Sequence, residues 1–270
     1  MRRGVGAAVG VLADLVLGEP PDAVHPVAAF GRAMQAVEAR LYRDDRAAGI
    51  VHAVAGAAGA AAAGAVVRST AVATWSAVAG RALGTVASDI GAALEQGDLD
   101  GARALLPSLV GRDPSELGEA EIARAVVESV AENTVDAVVA PALWAAVAGA
   151  PGVLAHRAVN TMDAMVGYRS ERYERYGWAS ARLDDLAAWL PARATVALVA
   201  AVRPSAAKAV LEVARRDGPA HPSPNSGFAE AAFAAALGLR LGGTNRYGDR
   251  VEERPTLGGG RPPEAVSYTH

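Results

Sequence analysis

Three carboxylates spaced four residues apart, Glu128, Glu132 and Asp136, open an almost purely apolar run that reaches Pro151. In a helix this spacing puts all three on one face. Like charges so placed repel by a few tenths of a kcal/mol per pair on an exposed helix. A bound cation would cancel that repulsion. Oxygen ligands suit Mg²⁺, which usually takes one or two carboxylates and completes its shell with water and substrate phosphates. Carboxylates at the edge of a membrane span mark functional sites by default. The competing reading is a solvated acidic helix end paired with nearby arginines. Asn133 belongs to the same cluster.

A second cluster runs from Asn160 to Asp185 and supplies Asp163, Tyr168, Arg172, Arg182, Asp184 and Asp185. Carboxylates interleaved with arginines suit a phosphate–metal site, because the metal bridges anionic oxygens and Arg binds them bidentately. The competing reading is a juxtamembrane loop whose Arg residues meet lipid headgroups and whose Tyr and Trp mark the interface. A third feature, His221 to Phe228, sets Ser223, Asn225 and Gly227 directly before an apolar stretch. A helix N-terminus with free N–H groups and hydroxyls is an anion site, though ordinary capping explains the same residues. A fourth, Asp14 to Val27, offers Asp14 inside an apolar segment and His25 before a proline. A lone His there is more often structural than catalytic.

The elements that must carry these groups are helical. The chain has 270 residues, 51% hydrophobic but only 5% aromatic, with no cysteine and a net charge of −3. Absence of Cys excludes disulfides, thiolate metal sites and Cys nucleophiles. No basic excess points to nucleic acid. Residues 50–67 and 137–155 carry no formal charge, and residues 186–202 carry only Arg193. Their lengths approach the roughly 20 residues that cross a bilayer as a helix. Gly56, Ala60 and Gly64 form a small-residue row suited to close helix contact in lipid. Pro141 and Pro151 are tolerable in such helices because neighbours can satisfy the freed carbonyls. Residues 1–21 read as a first membrane segment rather than a cleavable leader, since Asp14 interrupts the apolar part.

Residues 84–127 read as a polar helical segment, with a break at Gly97 and a helix start at Asp113-Pro114. Residues 242–270, rich in Gly and Pro, read as an irregular tail. The fold expected is all-α: a polytopic integral membrane protein with polar helical loops, its 270 residues forming one membrane-embedded catalytic domain. Arg is spread over nearly every connection, so charge bias leaves the orientation open.

Four blocks occur in a fixed order: "DLVLGEPPDAVHPVAAFG", "VGRDPSELGEAEIARAVVESVAENTVDAVVAPALW", "NTMDAMVGYRSERYERYGWASARLDDLAAWLPAR" and "SPNSGFAEAAFAAALGLRLGG". The series resembles the CobD/CbiB family of cobalamin biosynthesis, from about Val11 to Pro263. The resemblance implies a multi-pass cell-membrane enzyme, adenosylcobinamide-phosphate synthase. Such an enzyme joins the propionate of adenosylcobyric acid to (R)-1-amino-2-propanol or its O-phosphate, with ATP and Mg²⁺. It also implies membrane lipid and other cobalamin-assembly enzymes as partners, no nucleic acid, and a site facing the cytoplasm, where ATP is. On that reading Glu128, Glu132, Asp136, Asp184 and Asp185 are assigned to Mg²⁺. Arg182 and Arg193 hold phosphates. Tyr168, Ser223, Asn225 and Gly227 bind an anionic substrate, and His25 or Asp163 takes the proton of the attacking ammonium. Asp14, Asn133 and Asn160 are further site residues. Two departures stand out, Ala137 where the family commonly has Gly and Ala188 where it commonly has Asn. Without the resemblance, a Mg²⁺-dependent prenyl or diphosphate transferase and a non-enzymatic transporter fit the same charge pattern.

Overall fold

The structure is a computed structural model describing residues 3–21, 25–111, 113–247 and 250–265. Its helices are α1 (Arg3–Leu17), α2 (Pro26–Leu41), α3 (Arg46–Val67), α4 (Thr70–Trp75), α5 (Gly80–Glu95), α6 (Leu99–Leu105), α7 (Glu119–Thr134), α8 (Ala140–Val166), α9 (Trp178–Val202), α10 (Ala207–Asp217) and α11 (Ser226–Leu237). Two strands follow, β1 (Leu241–Tyr247) and β2 (Arg250–Leu257). The expected helical class holds. Among the described residues, three stretches are long and apolar enough to cross a membrane: Arg46–Val67, Glu119–Val166 and Trp178–Val202. They contain the uncharged runs 50–67 and 137–155 and the run 186–202, which carries only Arg193. The expected first span does not reach that length. α1 has 15 residues, about 22 Å of helix. It presents Val5, Leu12, Val16 and Leu17 at the surface.

The sequence suggested one embedded domain. The chain gathers into two compact units, Met1–Arg81 with Asp136–Pro191, and Ala82–Val135 with Ala192–His270. In the first unit α3 packs along α8, and α1 packs on α4 and α8. Small residues make these approaches possible. A Cβ on Gly64 would come within 2.5 Å of the Ala150 carbonyl oxygen, and one on Gly56 would run into Met162. One on Gly10 would meet Thr74 at 2.5 Å.

Prolines interrupt the long helices of this unit, and each freed carbonyl finds a donor from another part of the chain. A helical proline leaves the carbonyl four residues earlier without its N–H. For Pro141 that carbonyl is Ala137, which accepts the Ala79 N–H at 3.1 Å. For Pro151 it is Val147, which accepts Arg3 Nη1 at 2.8 Å. For Pro191 it is Ala187, which accepts Trp144 Nε1 at 3.1 Å. The breaks thereby become tertiary links, and Gly149, at φ 69°, turns α8 just before Pro151.

In the second unit one core joins α10 and α11 around Val210, Ala231 and Ala234, closed by Leu239, Leu241 and Leu257. A second joins α5, α6 and α7 around Ile90, Leu106, Ile122 and Val126. Gly97, at φ 74°, makes the expected break between α5 and α6. The expected helix start at Asp113 does not form. Asp113 instead accepts the Ser115 N–H at 2.9 Å in a turn. α7 begins five residues later, where the Glu121 carboxylate accepts the Gly118 N–H at 2.9 Å. The tail expected to be irregular is corrected as well. β1 and β2 pair antiparallel from Leu241↔Leu257 to Tyr247↔Arg250, with a bulge at Gly242, whose φ is 84°. The glycine-rich composition hid a hairpin anchored by buried leucines. Residues 266–270 of that tail lie outside the described residues.

Candidate functional site

The second unit holds the most concentrated polar arrangement, at the start of α11. Asn225 caps this helix, and its neighbours carry out the hydrogen bonding. Ser223 Oγ accepts the N–H groups of Asn225 and Ser226 at 3.3 and 3.1 Å. Ser226 Oγ lies 2.8 Å from Glu132 Oε1 and 3.1 Å from Ser223 Oγ, so the Ser226 hydroxyl donates to the carboxylate. Arg193 Nη1 donates to Asn225 Oδ1 at 2.8 Å, and its guanidinium lies 4.1 Å from the Phe228 ring centroid. A Cβ at Gly227 would overlap His221, so the chain passes that side chain too closely for any other residue. One carboxylate, two hydroxyls, an amide and a guanidinium thus meet at a helix N-terminus, the composition of an anion site.

Around it the network continues inward. His221 Nδ1 accepts the Ser223 N–H at 3.1 Å, and its Nε2 faces Arg254 at 3.2 Å and Glu230 at 3.6 Å. Burial, with the Arg254 charge adding to it, holds the His221 imidazole below its ordinary range. Glu128 is buried and accepts the Gly242 N–H at 2.9 Å, with Arg124 Nε at 4.0 Å. Arg124 in turn donates to the carbonyls of Gly242 and Thr244. Glu128 therefore bonds the hairpin to α7, whereas Glu132, one turn on, is exposed and bonds α11. Asn133 folds back on its own helix, Nδ2 to the Ser129 carbonyl at 2.9 Å.

Asp136 falls in a π-helical turn, Val135–Val139. The extra residue per turn ends the four-residue spacing assumed from the sequence. Asp136 belongs to the first unit, where its carbonyl faces His156 Nε2 at 3.5 Å. The Ala137 backbone is helical there, so this position needs no glycine.

In that unit Asp14 is fully buried and accepts the Arg81 N–H at 3.0 Å, near the first turn of α5. His25 caps α2. Its Nδ1 accepts the Val27 N–H at 3.2 Å, which leaves Nε2 to donate to Glu19 Oε2, also at 3.2 Å. Both ring nitrogens are committed. The sequence reading missed Glu19, although it stands six residues before His25 in the same block. It also missed Arg157, whose Nη1 donates to Asn160 Oδ1 at 3.2 Å. Asn160 Nδ2 reaches Asp184 Oδ1 at 3.4 Å. Arg182 pairs with Asp185 at 3.2 Å on the same helix. The Asp163 side chain lies over the end of α8, where a Cβ on Gly167 would overlap it. Tyr168 is exposed and stacks edge-on with Tyr173, 5.2 Å between centroids. Glu38, buried, collects Tyr173 OH at 2.9 Å and Arg172 at 3.0 Å, and this hydrogen bond drives Arg172 further above its ordinary range. Among the described residues no three His, Asp or Glu side chains form a metal-binding group.

A family model described as CobD/Cbib protein matches residues 7–269. The cobalamin biosynthesis protein CobD of Mycobacterium tuberculosis (strain ATCC 25618 / H37Rv) is 50% identical over 277 residues, covering 98% of this chain and 88% of its own length. That of Geobacter metallireducens is 43% identical over 274 residues, covering 94% and 86%. That of Rhizobium meliloti is 40% identical over 278 residues, covering 92% and 84%. No solved structure matches the chain.

Proposed function

The chain belongs to the CobD/Cbib family of cobalamin biosynthesis, and we propose that it forms an amide between the propionate of adenosylcobyric acid and (R)-1-amino-2-propanol O-phosphate at the expense of ATP. The protein would sit in the cell membrane as a multi-pass enzyme, with its ATP site facing the cytoplasm. The observation that carries the reading is the start of α11, where Arg193, Asn225, Ser223, Ser226 and Glu132 converge.

A carboxylate does not condense with an ammonium unaided, because its oxygen is a poor leaving group. Transfer of a phosphoryl group from ATP, releasing ADP, or of an adenylyl group, releasing diphosphate, makes the propionate oxygen part of a phosphate. The amine nitrogen then attacks the acyl carbon, the C–N bond forms, and the C–O bond breaks with release of the phosphate. Arg193 and the N-terminal turn of α11 would bind the phosphates of ATP and stabilise the charge that shifts among them. Mg²⁺ usually keeps several waters and is held by one or two carboxylates plus substrate phosphates, so it would enter with the nucleotide. Glu132 would be its protein ligand, and the metal would supply neutralisation of phosphate charge. The ammonium must lose a proton before it attacks. Both nitrogens of His25 are engaged, one by the Val27 N–H and the other by Glu19, so that imidazole does not take the proton in this arrangement.

The test is direct. Purified protein in detergent, given adenosylcobyric acid, the amine phosphate, ATP and Mg²⁺, should yield a corrinoid with the mass of the amide and one cleaved ATP per product. Amide formation without ATP, or ATP cleavage that ignores the corrinoid, would overturn the reading.

A further inference from the structure

α3 begins, α8 ends and α9 begins at one end of the first unit. A Cβ on Gly49 would overlap the Tyr176 carbonyl, and one on Gly177 would overlap that of Val166. Four of the chain's six tyrosines, Tyr42, Tyr168, Tyr173 and Tyr176, belong to the segments that meet here, and Tyr42 lies 5.2 Å from Tyr176 between ring centroids. Trp178 joins them, exposed, with the Arg46 guanidinium 5.1 Å from its ring centroid. Tyrosine and tryptophan collect at membrane–water interfaces because each has an apolar ring and a polar edge.

The surface changes character within about a turn or two of this cluster. On α3, exposed Arg46 is followed by exposed Ile50, Val51 and Val54. On α9, Trp178 and Arg182 are followed on the same face by Leu186, Trp189 and Leu190. Val54 is 55% exposed and Leu186 73%, so these side chains face outward and not into the unit. The Arg46–Trp178 contact sets the two changes side by side, as a boundary between headgroups and hydrocarbon requires. The charges at this end are not all spent on one another. Arg43 pairs with Asp45 at 3.2 Å, Arg172 with Glu38 at 3.0 Å and Arg175 with Asp44 at 4.0 Å. Arg46 and Arg169, both exposed, have no carboxylate within 4.0 Å among the described residues.

We propose that this end of the first unit lies in the headgroup layer of the membrane, and that Arg46 and Arg169 each bind the phosphate of an anionic phospholipid. The assignment rests on the membrane placement proposed above and adds which surface meets the headgroups and with what charge preference. A guanidinium suits a phosphate diester because its planar N–H groups match two oxygens at once. The Trp178 ring holds the Arg46 guanidinium at the surface by a cation–π contact. A zwitterionic lipid brings its own cation to the phosphate and gains less from the arginines. A nucleotide offers them the same phosphate chemistry, so ATP is the competitor that separates the two sources.

Purified full-length protein in neutral detergent, titrated with phosphatidylglycerol or phosphatidylcholine and weighed by native mass spectrometry, reads the charge preference. Phosphatidylglycerol should bind the wild-type chain at least about fivefold more tightly than phosphatidylcholine. Arg46→Gln and Arg169→Gln should each lose about fivefold in affinity for phosphatidylglycerol, and Arg46→Lys should keep most of it. Lys208→Gln, which removes an exposed charge on α10, should change nothing. Thiol labelling reads the boundary. The chain has no cysteine, so Arg43→Cys and Val54→Cys each carry a single thiol at an exposed position. In phosphatidylglycerol nanodiscs, where both faces are open, a charged maleimide should label residue 43 and spare residue 54. Equal affinity of the wild type for the two lipids, unchanged affinity in both glutamine variants, or equal labelling of the two thiols would overturn the assignment. Displacement of the lipid by an equal concentration of ATP would overturn it in favour of a nucleotide phosphate. Any of these results in a protein that needs detergent and makes the amide would sink the lipid site and leave the proposed function standing. A chain that stays soluble without detergent would overturn the membrane placement and this site together.

Discussion

Trp144→Phe isolates the way this fold accommodates its prolines. The indole Nε1–H is the donor to Ala187, whose carbonyl has no helical N–H because residue 191 is proline. Phenylalanine keeps most of the ring and removes the donor. Leaving a half-buried carbonyl unpaired costs about 1–3 kcal/mol, and the lost ring area adds to that. The two terms separate in a double-mutant cycle. Pro191→Ala restores an N–H four residues after Ala187, so the carbonyl regains a partner within its own helix. Trp144→Phe should then cost about 1–2 kcal/mol less in the Pro191→Ala background than in the wild type, a coupling well above the few tenths seen for independent sites. Equilibrium unfolding in mixed micelles reads all four proteins. Additive costs within about 0.5 kcal/mol would refute the idea that Trp144 serves the carbonyl freed by Pro191.

Glu128→Gln should lower stability by about 1–2 kcal/mol, since a neutral acceptor replaces a buried charged one between Gly242 and Arg124, and proteolysis of the hairpin should accelerate; an unchanged transition with lost turnover would make Glu128 a reaction group instead. Glu132→Gln should keep the stability near wild type and lower amide synthesis by at least about tenfold, about 1.4 kcal/mol of transition-state stabilisation, and full activity at ordinary Mg²⁺ would remove Glu132 from the site. His221 is held low by burial and by Arg254, against the opposing Ser223 carbonyl, Glu132 and Glu128 and with Glu230 close by. The unfolded chain therefore takes up this proton first: stability should be intact above about pH 6.5 and fall below it, by up to about 1.4 kcal/mol per pH unit, and His221→Gln should flatten that slope in unfolding measured from pH 5 to 8. Gly64→Ala should destabilise by about 1–3 kcal/mol because its Cβ would meet the Ala150 and Pro151 backbone, while Gly59→Ala, with nothing within 4 Å, should be neutral or stabilising by up to about 1 kcal/mol; equal melting shifts for the two would contradict the α3–α8 packing.

The long helices were legible because length and lack of charge decide them. The small-residue row of α3 was legible for the same reason, since Gly56 and Gly64 sit where α8 approaches. The chemistry-bearing blocks were legible in order but not in role. Spacing placed Glu128, Glu132 and Asp136 on one face, and a π-turn, which depends on local packing, ended that register at Asp136. Spacing could not show what Glu128 bonds, because its hairpin partner Gly242 lies more than a hundred residues later in the chain. Glu19 and Arg157 escaped notice because each is ordinary in isolation; only their contacts with His25 and Asn160 single them out. The hairpin escaped because Gly242 and Gly243 supply a bulge where composition suggests a coil.

The central claim is that ATP activates the propionate, and the fate of one oxygen decides it. Adenosylcobyric acid labelled with ¹⁸O in that carboxylate should be converted by the purified protein, with ATP and aminopropanol O-phosphate, into an amide keeping one of its two carboxylate oxygens. The other should appear in a phosphorus product, in inorganic phosphate if a phosphoryl group was transferred and in AMP if an adenylyl group was. Label released as water, with both phosphorus products unlabelled, would contradict the account.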